Sequence, residues 1–308
     1  MKIRPFRLSV LALSLLIPAA LCAVILFLFI YSGQAIEFNG FGFVSRITWN
    51  LGDLYGDPVV TRGIMVPPGA SYGIFVFIVG TLLSSFIAIL IAVPLSIGAA
   101  IFLAEAVSPK IRPILSLLVE LVAVVPSVVF GLWGIAVLVP LIGQYLAPSG
   151  NGYGLLAASL VLALMITPII ATTLLDALMQ VPKENRESAF ALGATHFEVV
   201  SKTMLPMVRT TLIGGIALAL GRALGETMAV LMVSGGGVNI LPTSLFSPVS
   251  TIASFIVGQL DSAESDPTNM AVRSLAEIAL VLFLITLAVN AAAKLLTFGG
   301  SNVRNRQS

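Results

Sequence analysis

Charged residues are scarce in this chain of 308 residues, where they make up 10% of the sequence against 58% hydrophobic residues. Soluble proteins carry about 25% charged residues, so this chain has too few to cover a surface that faces water. The composition excludes an ordinary soluble domain and predicts an integral membrane protein in a lipid bilayer. The net charge of +2, without runs of basic residues, also argues against nucleic-acid binding.

Cysteine and histidine occur once each, as Cys22 and His196. A single cysteine cannot form a disulfide within the chain, and a single histidine excludes a multi-histidine metal centre within it. The glycine-rich run Gly235–Gly237 lacks the Gly-x4-Gly-Lys-Ser/Thr pattern of nucleotide-binding loops. We therefore expect no catalytic residues, no metal site and no ATP hydrolysis by this chain, and a membrane enzyme is the least favoured class.

Six long apolar segments predict an all-α membrane protein with six transmembrane helices. They cover about residues 8–31, 73–104, 113–142, 154–180, 208–233 and 271–297. The first follows a basic N-terminus, but its length of about 24 residues favours an uncleaved anchor over a signal peptide. Pro126 and Pro168 predict kinks in the third and fourth spans.

The distribution of lysine and arginine predicts that both termini are cytoplasmic. Of the sixteen basic residues, Arg46, Arg62 and Arg273 then fall on the outer face, Arg222 falls within a span, and the other twelve are on the inner face. We divide the chain into three parts. They are an N-terminal anchor with an extracytoplasmic loop (1–72), a core with five spans (73–297) and a cytoplasmic tail (298–308).

Arg222 and Glu226 lie in the apolar fifth span, where a charge is energetically costly. Four residues apart, they would lie one turn apart on one face of a continuous helix. They predict a polar route in which Arg222 binds an anion weakly and Glu226 holds Arg222 in place. A structural ion pair between helices is the alternative. Glu120, near the start of the third span, is either a further pathway residue or a carboxylate at the wet inner interface.

The cytoplasmic segment 181–206 predicts two short helices joined by a turn. Pro182 suits the first turn of a helix, and Gly193 suits a left-handed cap at the end of that helix. Apolar residues from Phe197 onwards recur at helical spacing until Pro206, which predicts the end of the second helix. A compact knob with one apolar face is suited to docking into the groove of a partner protein.

The same segment carries a motif of fixed spacing. It reads Glu187-Ser-Ala189-x-x-x-Gly193, then nine residues, then Thr203-x-Leu205-Pro206. The motif resembles the EAA motif of ABC-importer membrane subunits, with serine in place of the first alanine and threonine in place of isoleucine. The resemblance implies the ABC type I importer (MetI-like) permease fold and a contact between this segment and an ATP-hydrolysing subunit. The residues that it assigns to this contact are Glu187, Ala189, Gly193, Leu205 and Pro206.

A second motif lies in the fifth span and reads Gly221-Arg222-Ala-Leu-Gly-Glu226-Thr-Met-Ala-Val230. It is similar to the signature of phosphate-specific importer permeases, nearest the PstC type, and the run from Glu120 to Gly134 resembles the same type. The resemblance implies a permease subunit in a bacterial or archaeal inner membrane that imports inorganic phosphate, with Arg222, Glu226 and Glu120 along the route.

The resemblance also implies a set of partners. They are a PstA-like permease subunit, a dimer of ATP-binding subunits that would hold ATP and Mg, and an extracytoplasmic phosphate-binding protein. Two alternatives remain open from the sequence. The chain could import another oxyanion, such as molybdate or sulfate, or it could report phosphate status to a signalling pathway.

Overall fold

The computed structural model describes residues 3–147 and 151–301. Helices dominate this part of the chain. They are α1 (Ile3–Asn39), α2 (Phe75–Ile101), α3 (Arg112–Val124), α4 (Ser127–Trp133), α5 (Val139–Tyr145), α6 (Leu155–Met179), α7 (Lys183–Ala191), α8 (His196–Glu198), α9 (Leu205–Leu224), α10 (Met228–Val233), α11 (Ile252–Glu264) and α12 (Met270–Ser301). A 3₁₀ turn at Gly40–Phe43 follows α1, and π-helical turns at Phe102–Ala106, Gly134–Leu138 and Val199–Met204 follow α2, α4 and α8.

Six helical segments of the described residues are long and apolar enough to cross a membrane, which agrees with the predicted number. They are Ser9–Phe43, Phe75–Ala106, Ser127–Tyr145, Leu155–Met179, His196–Leu224 and Met270–Leu295. Many large apolar side chains on these helices are exposed on the single chain. Such surface is expected where lipid or a second membrane subunit covers a helix.

The third span begins later than its hydropathy predicts. Residues 113–142 do not form one helix, because α3 ends at Val124 and α4 begins at Ser127. Val125 has extended ψ of 129°, as expected for the residue before a proline, and Pro126 lacks the N–H that would continue the helix. The effect of Pro126 is therefore a break rather than a kink, whereas α6 continues through Pro168.

The fifth span is also interrupted, so the prediction of one helix over 208–233 is wrong. α9 ends at Leu224, and α10 begins only at Met228. Gly225 is a weak helix former, and the next residue, Glu226, uses its side chain to bind a backbone N–H of the following turn. Arg222 lies on α9 and Glu226 lies within the break, so these residues do not share the face of one continuous helix.

One compact unit consists of Met1–Phe75 and Ile256–Phe283. It contains two small antiparallel pairs, β1 (Trp49–Asn50) with β4 (Ser71–Tyr72), and β2 (Val59–Thr61) with β3 (Ile64–Val66). Trp49 and Tyr72 pack edge to face across the first pair, with ring centroids 5.0 Å apart. Burial raises the pKa of the Tyr72 hydroxyl, and Asp266 raises it further.

Two arginines of this unit bind the carboxyl end of α1. Arg62 Nη1 donates to the Phe38 carbonyl at 2.9 Å, and Arg46 Nη2 donates to the Asn39 carbonyl at 2.6 Å. The last carbonyls of a helix lack partners within the helix, and basic side chains satisfy them well. Asn39 in turn donates to Glu277 Oε2 at 2.8 Å, so α1 and α12 are joined by a buried polar contact.

The second compact unit consists of Val76–Phe255 and Leu284–Ser308. α6 is its central helix, and most of its side chains are buried. α6 packs closely against α9, since a Cβ at Gly215 of α9 would lie 3.3 Å from Thr173 of α6. The division of the chain at residues 72 and 297 stays a prediction. Residues 302–308 of the predicted tail lie outside the described residues.

Candidate transport pathway and coupling segment

Arg222 lies in the last turn of α9, and its side chain is exposed on the surface of the single chain. At a rise of about 1.5 Å per residue, it lies about 20 Å along the helix axis from Arg209. Within the described residues, its guanidinium group makes no hydrogen bond or ion pair with this chain. A charge at this depth cannot face hydrocarbon cheaply. Arg222 is therefore a costly charge without a partner among the described residues.

Glu226 does not hold Arg222 in place, and the predicted ion pair between them is absent from the described residues. Glu226 is half-buried, and its Oε1 accepts a hydrogen bond from the backbone N–H of Ala229 at 3.3 Å. Because the helix breaks at Gly225, this carboxylate serves the first turn of α10 instead. Arg222 and Glu226 keep their place in the proposed pathway, but as two separate groups.

Glu120 is exposed on α3, and the candidate third span begins seven residues later at Ser127. The described residues give it no hydrogen-bond partner. This position outside the span is compatible with a carboxylate at the wet inner interface. Its role in the pathway stays a prediction.

The predicted turn is present in residues 181–206, which we call the coupling segment. Pro182 caps the N-terminus of α7, and Gly193 has φ of +83°, in the left-handed region that glycine adopts without strain. Thr195 then forms a capping box with Glu198. The Glu198 N–H donates to Thr195 Oγ1 at 3.3 Å, and the Thr195 N–H donates to Glu198 Oε2 at 3.0 Å. These contacts fix the direction in which the second helix leaves the turn.

Pro206 does not end the second helix, so that prediction is wrong. The helix that begins at His196 passes through the π-helical turn Val199–Met204 and continues as α9. Pro206 lies in the first turn of α9. The wider π-helical hydrogen-bonding pattern before it accommodates a residue that has no N–H and whose ring would clash with the preceding turn.

The tip of the segment exposes apolar side chains. Leu192 is 89% exposed, Phe197 is 79% exposed, and Phe190 is 41% exposed with its ring edge to face against His196 at 5.0 Å. Glu187 is exposed beside them and has no hydrogen-bond partner among the described residues. An exposed apolar cluster with a charged neighbour is suited to a protein interface.

Two other motif residues face inward. Ala189 and Leu205 are partly buried against the apolar cluster at the carboxyl ends of α2 and α6, which includes Leu103, Leu178 and Met204. Their role within this chain is to pack the segment onto these helices. Gly193 and Pro206 are exposed, so the motif contains both packing residues and residues available to a partner.

The sequence reasoning missed an ion pair at the base of the segment. Arg186 Nη1 of α7 lies 2.6 Å from Glu105 Oε1, in the π-helical turn that ends α2. Arg112 binds the same turn, donating to the carbonyls of Leu103 and Ala104, each at 2.8 Å. The sequence contains only a weak indication of this ion pair. Glu105 is an acidic residue that ends an apolar segment on the face where basic residues predominate.

Six helical segments of the described residues are long and apolar enough to cross a membrane, and segment 181–206 exposes apolar side chains. Residues 93–298 match the family described as binding-protein-dependent transport system inner membrane component. The chain belongs to that family. The predicted membership is therefore confirmed, and this transport component is a multi-pass inner-membrane protein.

Curated relatives cover most of the chain. It is 46% identical to the phosphate transport system permease protein PstC 1 of Mycobacterium tuberculosis over 84% of this chain and 82% of that protein. It is 39% identical to the phosphate transport system permease protein PstC of Pasteurella multocida over 90% and 85% of the two chains. It is 36% identical to the PstC protein of Haemophilus influenzae over 94% and 91%.

Solved structures share the fold of this transport component. A bacterial alginate ABC transporter, solved with a substrate-bound periplasmic protein, matches with a TM-score of 0.61 and 16% identity over 96% of this chain and 97% of that one. The inward-facing MetNI methionine ABC transporter matches with a TM-score of 0.54 and 18% identity over 74% and 94%. The predicted all-α fold of an ABC type I importer permease is confirmed.

Proposed function

We propose that this chain is one permease subunit of an ABC importer that moves inorganic phosphate into the cytoplasm. The observation that carries the proposal is Arg222, a charged residue in an apolar helix whose guanidinium group has no partner within the described chain. The names of the curated relatives, which are phosphate transport permeases, support phosphate as the substrate.

Arg222 suits an oxyanion because its guanidinium group is planar, remains charged and can donate two parallel hydrogen bonds. On the surface of one subunit, it would line a route completed by a second permease subunit. Transit requires binding that is favourable but weak. A single exposed arginine would bind the anion more weakly than a site that surrounds the anion with several donors, and it therefore suits transit better.

The coupling segment supports the proposed ATP-driven mechanism. Phe197 and Leu192 expose apolar surface that would be buried in a cleft of an ATP-hydrolysing subunit, and Glu187 would add a polar contact at its edge. ATP and Mg would be bound by that partner rather than by this chain. We propose that the other partners are a PstA-like permease and an extracytoplasmic phosphate-binding protein.

The proposal also includes an orientation, with both termini and the segment 181–206 on the cytoplasmic side. It follows from the excess of basic residues on that face. The outer loops, including the β1–β4 and β2–β3 pairs, would then face the binding protein. Closure of the ATP-binding dimer would draw the coupling segments together, and the spans would reorient around Arg222.

The test is labelled phosphate uptake at low external phosphate, in cells that lack this chain and in the same cells complemented with it. Uptake of molybdate and sulfate is measured in parallel. Restored uptake of phosphate alone supports the proposal. If the deletion leaves phosphate uptake unchanged but loses uptake of another oxyanion, the chain still belongs to an importer, but phosphate is not its substrate.

A further inference from the structure

The inner end of α2 has no covalent connection near the coupling segment, although the two meet in the fold. α6 leads directly into the segment through Gln180 and Val181, and the segment leads directly into α9. Any displacement of α7 therefore reaches α6 and α9 through the backbone. It can reach α2 only through side chains.

A partly buried ion pair is the polar part of this connection, beside the apolar packing of Ala189 against the cluster that includes Leu103. Arg186 of α7 and Glu105, in the turn that ends α2, lie 81 residues apart in the sequence and 2.6 Å apart in space. Their side chains are only 22% and 20% exposed. Such a pair is screened less by water and salt than a surface pair, so it holds its geometry more firmly.

Arg186 also connects α2 to α6. Its Nη2 donates to the carbonyl of Leu178, in the last turn of α6, at 2.8 Å. One guanidinium group of α7 therefore binds the carboxyl ends of two spans. Its Nε is buried without an acceptor among the described residues, so two of its nitrogens carry the contact.

Arg112 makes the receiving end rigid. Its side chain binds the carbonyls of Leu103, Ala104 and Val107, which surround Glu105 in the same turn. A force applied to Glu105 is therefore applied to the whole end of α2 and to α3, from which Arg112 comes. Coupling between distant sites needs such a continuous chain of physical contacts.

We propose that Arg186 is a positioning residue that transmits the movement of the docked coupling segment to α2 through Glu105. Without the pair, the ATP-hydrolysing subunit still docks on the exposed tip and still hydrolyses ATP, but α2 does not follow α7. The result is hydrolysis without transport. This inference rests on the proposed function, because its readout is ATP-driven phosphate import.

The experiment uses the complete complex with its partner permease, ATP-binding subunits and binding protein in proteoliposomes. The measured quantity is phosphate transported per ATP hydrolysed. We expect Arg186→Gln and Arg186→Glu to lower this ratio at least tenfold while the complex assembles and hydrolyses ATP. Exchange of the two charges, Arg186→Glu with Glu105→Arg, should restore about half of the wild-type ratio.

Lys183→Gln is the matched control, because Lys183 is an exposed cation of the same helix without a partner among the described residues. It removes the same charge and should leave the ratio unchanged. A normal ratio in Arg186→Gln would overturn the inference. So would failure of the single variants and the exchanged pair to assemble, because that result assigns the pair a structural role only.

A second readout does not depend on phosphate. Hydrogen exchange of residues 102–107 should change on ATP binding in the wild-type complex but not in Arg186→Gln, while residues 183–191 respond in both. A wild-type complex that shows this change but moves no phosphate would overturn the proposed substrate and leave the role of Arg186 standing. No change at 102–107 in the wild type would overturn the role of Arg186.

Discussion

Two arginines of this transport component differ in where their partners lie. Arg186, at the base of the coupling segment, is largely buried and binds Glu105 and the carbonyl of Leu178. Arg222, near the end of α9, is exposed and has no hydrogen-bond or ion-pair partner in the described part of the chain. Both are arginines on helices, yet among the described residues only Arg186 has a partner.

The comparison separates two kinds of functional residue. A charged group that is paired within the chain stabilises the fold or transmits movement between helices. Its removal leaves an unpaired partner behind. A group left unsatisfied in a costly place is expected to meet another molecule. The coupling segment shows the same contrast in its apolar residues, since Ala189 packs inward and Phe197 projects outward.

The largest expected effect is that of Arg222→Gln. We expect phosphate uptake to fall by about a hundredfold, the size seen when one charge-stabilising donor is removed from a site. Stability of the subunit should be nearly unchanged, because no partner within the described chain is lost. The measurement is initial uptake rate at equal membrane abundance of the assembled complex.

Two further variants, Arg222→Lys and Arg209→Gln, separate the loss of charge at Arg222 from the loss of its planar group and from a general effect of charge. Lysine keeps the charge but loses the planar fork, so intermediate uptake is expected. Arg209 is an exposed cation near the inner end of the same helix, and its neutralisation should change uptake less than twofold. Loss of the complex in Arg222→Gln would assign Arg222 a structural role and contradict the comparison.

Phe197→Ser should have the next largest effect. The variant removes an exposed phenyl ring that supports little of the fold, so the subunit should remain stable while its affinity for the ATP-hydrolysing subunit falls about tenfold. Phe41→Ser is the control, because Phe41 is 98% exposed on the 3₁₀ turn after α1. Equal affinities of the two variants would exclude the exposed tip as the docking surface.

Substitutions at Gly193 test whether glycine is required there by the backbone conformation of this chain. A Cβ at this position would have no heavy atom within 4 Å, so only the φ of +83° restricts it. Valine should be strained by about 1–2 kcal/mol and weaken docking several-fold, whereas asparagine tolerates this region and should bind almost normally. A pull-down titration measures both. Similar losses for valine and asparagine would show that the partner, not the backbone, requires glycine.

The smallest expected effect is that of Tyr72→Phe. The hydroxyl is buried without a partner among the described residues, and burial keeps it protonated by raising its pKa. Its removal should therefore leave the free energy of unfolding unchanged or raise it by up to about 1 kcal/mol. Tyr55→Phe, at a fully exposed tyrosine, is the control for thermal unfolding in detergent. A clear loss of stability at Tyr72 alone would reveal a bridging water.

Hydropathy predicted the bounds of three uninterrupted spans well, although the uninterrupted α1 extends several residues beyond its predicted segment 8–31. α2, α6 and α12 begin and end within a few residues of the predicted segments, because length and apolar composition are local properties of the chain. It failed for the third and fifth spans. There, Pro126 and the Gly225–Glu226 pair break helices inside runs that remain apolar, and a hydropathy window does not detect backbone geometry.

The same distinction applies to the coupling segment. The αL turn at Gly193 was predictable, because few residues other than glycine adopt that conformation. The continuation of the helix past Pro206 was not. It passes through a π-helical turn in which Val199 and Met204 are buried in the apolar cluster at the carboxyl ends of α2 and α6, and these tertiary contacts cannot be read from the local sequence.

The sequence alone determined the class of the protein, the number of its spans, the position of the segment with the EAA-like motif and the presence of a charge at Arg222 in an apolar run. These follow from composition and from motifs of fixed spacing. Only the tertiary structure decided which charges are paired. The Arg186–Glu105 contact joins residues 81 positions apart, and Arg222 loses Glu226 as a partner through a helix break. Ion pairs depend on distances of a few ångströms between side chains, and only the packed fold sets those distances.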